Sequence, residues 1–258
     1  MNYTVQAFNA GTFWVPGPEV YWMENWNTRE EMNVILYLVR GGGHNILINT
    51  GPPQDLTELN QAWLKFFGYP EAQIVRTEAQ LPQNILRSQG LTPADIDTVI
   101  VTPLQAYATA NIHLFRNARI CISRKGWIED FQAPYYHLHV PRHLRIPPEV
   151  NHYLQNEGWE KVHLLRDEED LYEGVYVFWA GVHHRSSLAV CIATAKGRVI
   201  LTDSFFKYGN LEQGRYLGVM ESMMEADATW ARIRRRGQIV ASVYDPEVFV
   251  RHPGGVLA

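Results

Sequence analysis

Residues 135–143 read YYHLHVPRH and bring His137, His139 and His143 close together in sequence. An HxH pair in an extended segment puts both imidazoles on one face, a geometry that can hold a divalent metal. His113, His152, His183 and His184 add to the supply of imidazoles. No carboxylate or cysteine is joined to the cluster by any motif, so its plainer reading is solvent-facing or cap-loop histidines beside a pocket. Cys121 and Cys191 each sit inside an apolar run that reads as a strand. Two buried, reduced thiols are expected there rather than a nucleophile or a disulfide. Ser186 and Ser187 stand close to His183 but belong to no nucleophile elbow.

The elements that must carry these groups follow from hydrophobic periodicity. Met32 to Val39 and Asn45 to Asn49 are apolar runs joined by a glycine turn, the pattern of a hairpin. Helical spacing runs through 56–67, 83–89, 148–156 and 217–234, the last being the longest. Thr92 caps a short helix that leads into the strand Thr98 to Thr102. Strands are expected at 119–123, 161–165, 175–179, 187–194, 198–202 and 238–243, with a helix from Arg124 to Phe131. Strands and helices alternate with hairpins between them, so the sheets should be mixed. The segment 12–26, TFWVPGPEVYWMENW, is unusually aromatic. Phe13, Trp14, Tyr21, Trp22 and Trp26 either pack an N-terminal strand onto the core or line a pocket or subunit interface.

The bulk properties narrow the class. The chain has 258 residues, 46% hydrophobic and 19% charged, enough for a sizeable α/β core and too apolar for disorder. No linker, repeat or low-complexity stretch divides it, so residues 1–258 read as one domain. The formal net charge of −4 argues against nucleic acid as a partner. The one basic run, Arg232 to Arg236, falls just before Gly237, where it complements the C-terminal end of a helix. Nothing resembles a signal peptide or membrane span, so a cytoplasmic protein with no membrane partner is expected.

Five stretches fall into one order: NILINTG (45–51), DTVIVTPLQAYATANIHLFRNARICISRKGW (97–127), AGVHHRSSLAV (180–190), GRVILTDSFF (197–206) and YDPEVFVRHPGG (244–255). Together they resemble the metallo-β-lactamase superfamily, and most closely its N-acyl-homoserine-lactonase-like branch. The resemblance spans most of the chain, and NIHLF and DPEVF are its most specific parts. It implies a four-layer αβ/βα sandwich of two mixed sheets with helices outside, and a site along one edge built from loops after strands.

The resemblance also implies two metals, held by an HxHxDH stretch, a further His, a bridging Asp and a final His. Carried across, the HxHxDH ligands become Pro103, Gln105, Tyr107 and Ala108, and the final His becomes Tyr244. Only His183 and Asp203 keep a ligand type. The supporting Asp of the family pattern is Asn49, and a lactonase tyrosine falls on Phe206. Zinc wants about four N, S or O donors, so no metal or other cofactor is expected.

What remains suggests acid–base chemistry by side chains. His183 and Asp203 could form a dyad with His183 as general base. Tyr107 and Tyr244 could donate hydrogen bonds to an oxyanion, or simply fill the vacated space. Gln105, His184 and Arg185 are expected to face the same cleft as substrate-binding groups, Arg185 holding a carboxylate, with Trp22 beside them. The expected function is a metal-independent hydrolase of a small-molecule lactone, ester or amide-like bond. A catalytically inactive small-molecule-binding or partner protein, and a cofactor-free isomerase or lyase, are the alternatives. The aromatic N-terminal segment offers a surface for a homodimer.

Overall fold

In a computed structural model, residues 2–132 and 142–258 are described. His137 and His139 lie outside them. The first sheet opens with β1 (Thr4–Pro16), β2 (Arg29–Gly41) and β3 (His44–Ile48), an antiparallel meander. Parallel strands β4 (Thr98–Ile100), β5 (Arg119–Ser123) and β6 (Val162–Leu165) continue it. The second sheet runs β7 (Glu168–Tyr172), β8 (Val175–Trp179), β9 (Leu188–Thr194) and β10 (Gly197–Thr202), all antiparallel. β11 (Ile239–Ser242) lies parallel to β10 at its edge. Both sheets are therefore mixed, as the alternation of elements implies.

Helices flank the sheets: α1 (Gly17–Val20), α2 (Thr57–Phe67), α3 (Pro82–Ser88), α4 (Ala106–Thr109), α5 (Arg124–Gly126), α6 (Arg142–Arg145) and α7 (Pro148–Gln155). α8 (Tyr208–Gln213), α9 (Met223–Arg236) and α10 (Glu247–Arg251) complete the set. α5 runs on into a π-helical turn over Trp127–Gln132. One hydrophobic cluster, from Val5 and Leu36 to Ile192 and Leu201, joins the inner faces of both sheets. No helix among the described residues is long and apolar enough to cross a membrane.

Most expected elements stand within one or two residues of their place. The longest helix is the exception: it starts at Met223, capped by the Ser222 side chain on the Glu225 N–H, not at 217. Gly218 explains the delay. A Cβ there would come within 1.6 Å of the Pro18 carbonyl oxygen, so residues 217–219 are pressed against α1 as a loop. The basic run occupies the last turn of α9 as expected, with Arg234 donating to the Leu211 carbonyl. Cys121 and Cys191 are free, buried thiols on β5 and β9, and burial pushes both up to about 12.

Candidate active site

Four loops that follow strands meet at one edge of the two sheets. The loop after β4 carries Gln105 and leads into α4, which carries Tyr107; the β8–β9 loop carries His183 and His184. Asp203 follows β10, and Tyr244 follows β11. Asn49, at the end of β3, holds the first of these loops from a left-handed backbone (φ 63°), a conformation Asn tolerates. Its Oδ1 accepts the Thr102 N–H at 2.8 Å and its Nδ2 donates to the Thr102 carbonyl at 2.7 Å.

The β8–β9 loop is the tightest part of the site. Gly181 (φ 58°) and Val182 (φ 72°) both adopt left-handed backbone, which is strained for a β-branched residue. Two contacts hold the strain: Val182 N–H donates to Glu225 Oε2 at 3.2 Å, and Val182 C=O accepts from Glu221 N–H at 2.6 Å. Gly126 packs so closely beneath Ser186 that a Cβ would meet its side chain at 2.3 Å. Ser186 N–H is held by Asp130 Oδ2 at 2.8 Å. His183 therefore projects from a loop anchored on both sides.

His183 Nδ1 lies 3.4 Å from Asp203 Oδ2 and 3.5 Å from the Tyr244 hydroxyl. The Tyr244 hydroxyl is in turn 3.3 Å from that of Tyr107. Asp203 is fully buried, and each of its oxygens accepts a hydroxyl: Oδ1 from Thr102, and Oδ2 from Ser187 at 2.5 Å. Burial raises the Asp203 carboxyl above its usual range, and these two hydrogen bonds pull it back in part. Burial likewise raises the Tyr107 and Tyr244 phenols well above their ordinary value, so both stay protonated at neutral pH. The ring of His183 packs edge-on against Phe206, centroids 4.7 Å apart.

This polar cluster forms the floor of a cleft of about 310 Å³. Gln105 and His184 line it beside His183, Tyr107 and Tyr244. The walls are apolar. After the β1 bulge at Asn9–Thr12, strand alternation turns Phe13 and Val15 inward, and α2 supplies Trp63, Phe66 and Phe67. Met32, Phe206 and Val219 complete the apolar surface, while Glu19 and Arg145 bring one charge of each sign.

Two expected binding residues are elsewhere. Arg185 does not line the cleft. Its guanidinium faces Glu129 (3.3 Å), Glu221 (2.9 Å) and Glu225 (3.1 Å) and sits 4.5 Å from the centre of the Trp179 ring. The carboxylates at the start of α9 and on the π-turn satisfy its charge, leaving it no reason to reach for substrate. Trp22 is 49% exposed and does not line the cleft. β1 ends at Pro16, so the inward alternation that carries Phe13 does not continue to Trp22. His143 is exposed beside Glu58, 3.5 Å away. Sequence reasoning missed Glu19, Arg145 and the α2 aromatics. The only signal for Glu19 was its place inside an aromatic run, which it shares with Glu24, and the signal for α2 was its one-sided periodicity.

These residues do not fit the metal pair that the resemblance implies. Pro103 and Ala108 offer no donor atom, the two phenols are kept protonated by burial, and His183 and Asp203 alone fall short of a shell. Among the described residues no group of three or more His, Cys, Asp or Glu side chains is placed to hold a metal ion.

No family model matches the chain. N-acyl homoserine lactonase AiiB from Agrobacterium fabrum is 24% identical over 217 residues, 80% of this chain and 75% of that protein. A solved N-acyl homoserine lactone hydrolase with N-hexanoyl-L-homoserine bound at its catalytic metal center superposes with a TM-score of 0.77, at 19% identity and 97% coverage of both chains. A variant of AiiA from B. thuringiensis with N-decanoyl-L-homoserine bound at the active site gives 0.76, again at 19% identity and 97% of both chains. The chain thus has the metallo-β-lactamase fold, in the form found in N-acyl homoserine lactone hydrolases.

Proposed function

We propose that the protein hydrolyses a lactone, ester or amide-like bond in a small molecule by side-chain acid–base chemistry, without a metal pair. The observation that carries this reading is His183, set between Asp203 and Tyr244 at the base of an otherwise apolar cleft. Asp203 holds the proton on Nδ1 and leaves Nε2 as the basic nitrogen. His183 then takes a proton from water as the oxygen attacks the carbonyl carbon. The Tyr244 and Tyr107 hydroxyls, both protonated, donate to the oxyanion that develops. Collapse expels the alcohol or amine, which takes the proton back from His183. Gln105 and His184 contact the reacting end, and the aromatic walls take the apolar part of the molecule. That relatives with this fold hold acyl-homoserine products supports a small acyl compound as the substrate.

The test is hydrolysis of a panel of lactones, esters and amides by wild type and His183→Ala, each in the presence of a chelator, with elemental analysis of the purified protein. Chelator-resistant activity that falls about 10²-fold or more in the variant is expected. Stoichiometric metal, or activity abolished by the chelator, would overturn metal independence. A protein that binds the panel and turns over none of it would instead be a small-molecule-binding protein.

A further inference from the structure

We propose that Glu19, with the aromatic wall beside it, recognises a protonated amine on the bound molecule. The proposal rests on the reading of the cleft as a small-molecule site and adds the chemical class of its occupant.

Glu19 lines the cleft from α1, and no hydrogen bond or ion pair of its side chain occurs among the described residues. Two of the nearby cations are engaged elsewhere, and Arg145 shares the cleft lining with Glu19. Arg29 pairs with Glu71 at 2.9 Å and covers the Tyr69 ring, while Arg215 pairs with Glu24 and covers Tyr21. The backbone that carries the carboxylate is held in place. The Glu19 carbonyl accepts from the Gly218 and Val219 N–H groups at 3.0 and 3.2 Å, and Gly218 fits only because it lacks a Cβ. α1 is thereby locked against the loop that completes the cleft wall.

A carboxylate fixed in an apolar wall without a partner is costly, and a ligand cation is the group that offsets the cost. The neighbouring surface suits a cation as well. Trp63, Phe66 and Phe67 present aromatic rings to the same space, with Phe66 and Phe67 4.8 Å apart and edge-to-face. Aromatic rings in the same cleft as a carboxylate are the chemistry that can hold an ammonium group, since a ring face attracts a cation electrostatically. Burial raises the Glu19 carboxyl to about 7, so above that pH it is mostly ionised and ready to pair.

The experiment is calorimetric binding of three probes of equal length at pH 8: n-hexylammonium, 1-hexanol and hexanoate. Wild type should bind the ammonium at least tenfold tighter than the alcohol, with hexanoate reporting separately on the Arg145 side of the cleft. Glu19→Gln should bring the ammonium to the affinity of the alcohol while leaving the alcohol unchanged, which also shows that the cleft is intact. Equal affinities for ammonium and alcohol in wild type, or an unaltered preference in Glu19→Gln, would overturn the proposal. The wild-type comparison decides even where the variant folds poorly. Binding needs no turnover, so an inactive protein that prefers ammonium sinks only the hydrolase reading. A hydrolase without the preference sinks only this one.

Discussion

The Tyr244 hydroxyl stands between two partners, 3.5 Å from His183 Nδ1 and 3.3 Å from the Tyr107 hydroxyl. It occupies the position where the lactonase-like pattern carries its last histidine, and it cannot replace that residue as a base because burial keeps it protonated. In the proposed reaction it serves as a donor. Tyr244→Phe preserves the ring that packs against Phe206 and removes only the hydroxyl. The expected result is a fall in kcat on the order of 10²-fold with KM little changed. Tyr107→Phe, one hydrogen bond farther from His183, should cost less. Steady-state kinetics of the two variants checks the order.

Asp203 is the keystone of the buried hydroxyl network. Asp203→Ala would strand the Ser187 hydroxyl in the interior without its acceptor and leave Thr102 only its longer contact to the Leu188 carbonyl at 3.2 Å. A loss of about 2–4 kcal/mol in unfolding free energy is expected, measurable by urea titration. Asp203→Asn should cost less stability and still impair activity, because an amide no longer fixes the proton on His183 Nδ1.

The contacts of Arg185 brace the loop and lie outside the cleft lining. Its bonds to Glu221 and Glu225 tie the strained Gly181–Val182 turn to the start of α9. Arg185→Met should lower kcat equally for substrates with and without a carboxylate, and lower the melting temperature by several degrees. A loss confined to carboxylate-bearing substrates would place the guanidinium in the cleft after all.

Glu19 makes a prediction about stability that is independent of any ligand. Its folded pKa of about 7 lies above the ordinary value of 4.5, so between these pH values the folded chain keeps a proton that the unfolded chain releases. The stability this provides is complete below about pH 4.5 and is lost as pH rises through 7. Glu19→Gln should therefore be more stable than wild type at pH 8, by about 1–3 kcal/mol, with the gap closing toward pH 4.5. Paired urea titrations across that range measure it.

The sheets were legible because their strands are apolar runs bounded by turn residues. β5 and β8 match their expected limits, and the β2–β3 hairpin follows from its glycine turn. The convergence of residues near 105, 183, 203 and 244 was legible only through the order of short motifs. What escaped was direction. Arg185 sits beside His183 in sequence, yet its partners lie on α9 and the π-turn, which no local pattern connects to it. The late start of α9 escaped for a similar reason: helical spacing continues through 217–222, but Gly218 is pressed against Pro18 and the N–H groups of Gly218, Val219 and Glu221 bond to Glu19 and Val182 instead. Phe13 and Trp22 belong to one aromatic run but face opposite environments, because the strand that orients the first ends before the second.

The clasp between Asn49 and Thr102 has an electrical consequence. A carboxylate at that position could accept the Thr102 N–H but would repel the Thr102 carbonyl, whereas the amide satisfies both at once. The join between β3 and the loop bearing Gln105 and Tyr107 is therefore neutral and insensitive to protonation. It asks for no counter-ion, and it would hold its shape through acidification or changes in salt that loosen a framework braced by opposite charges.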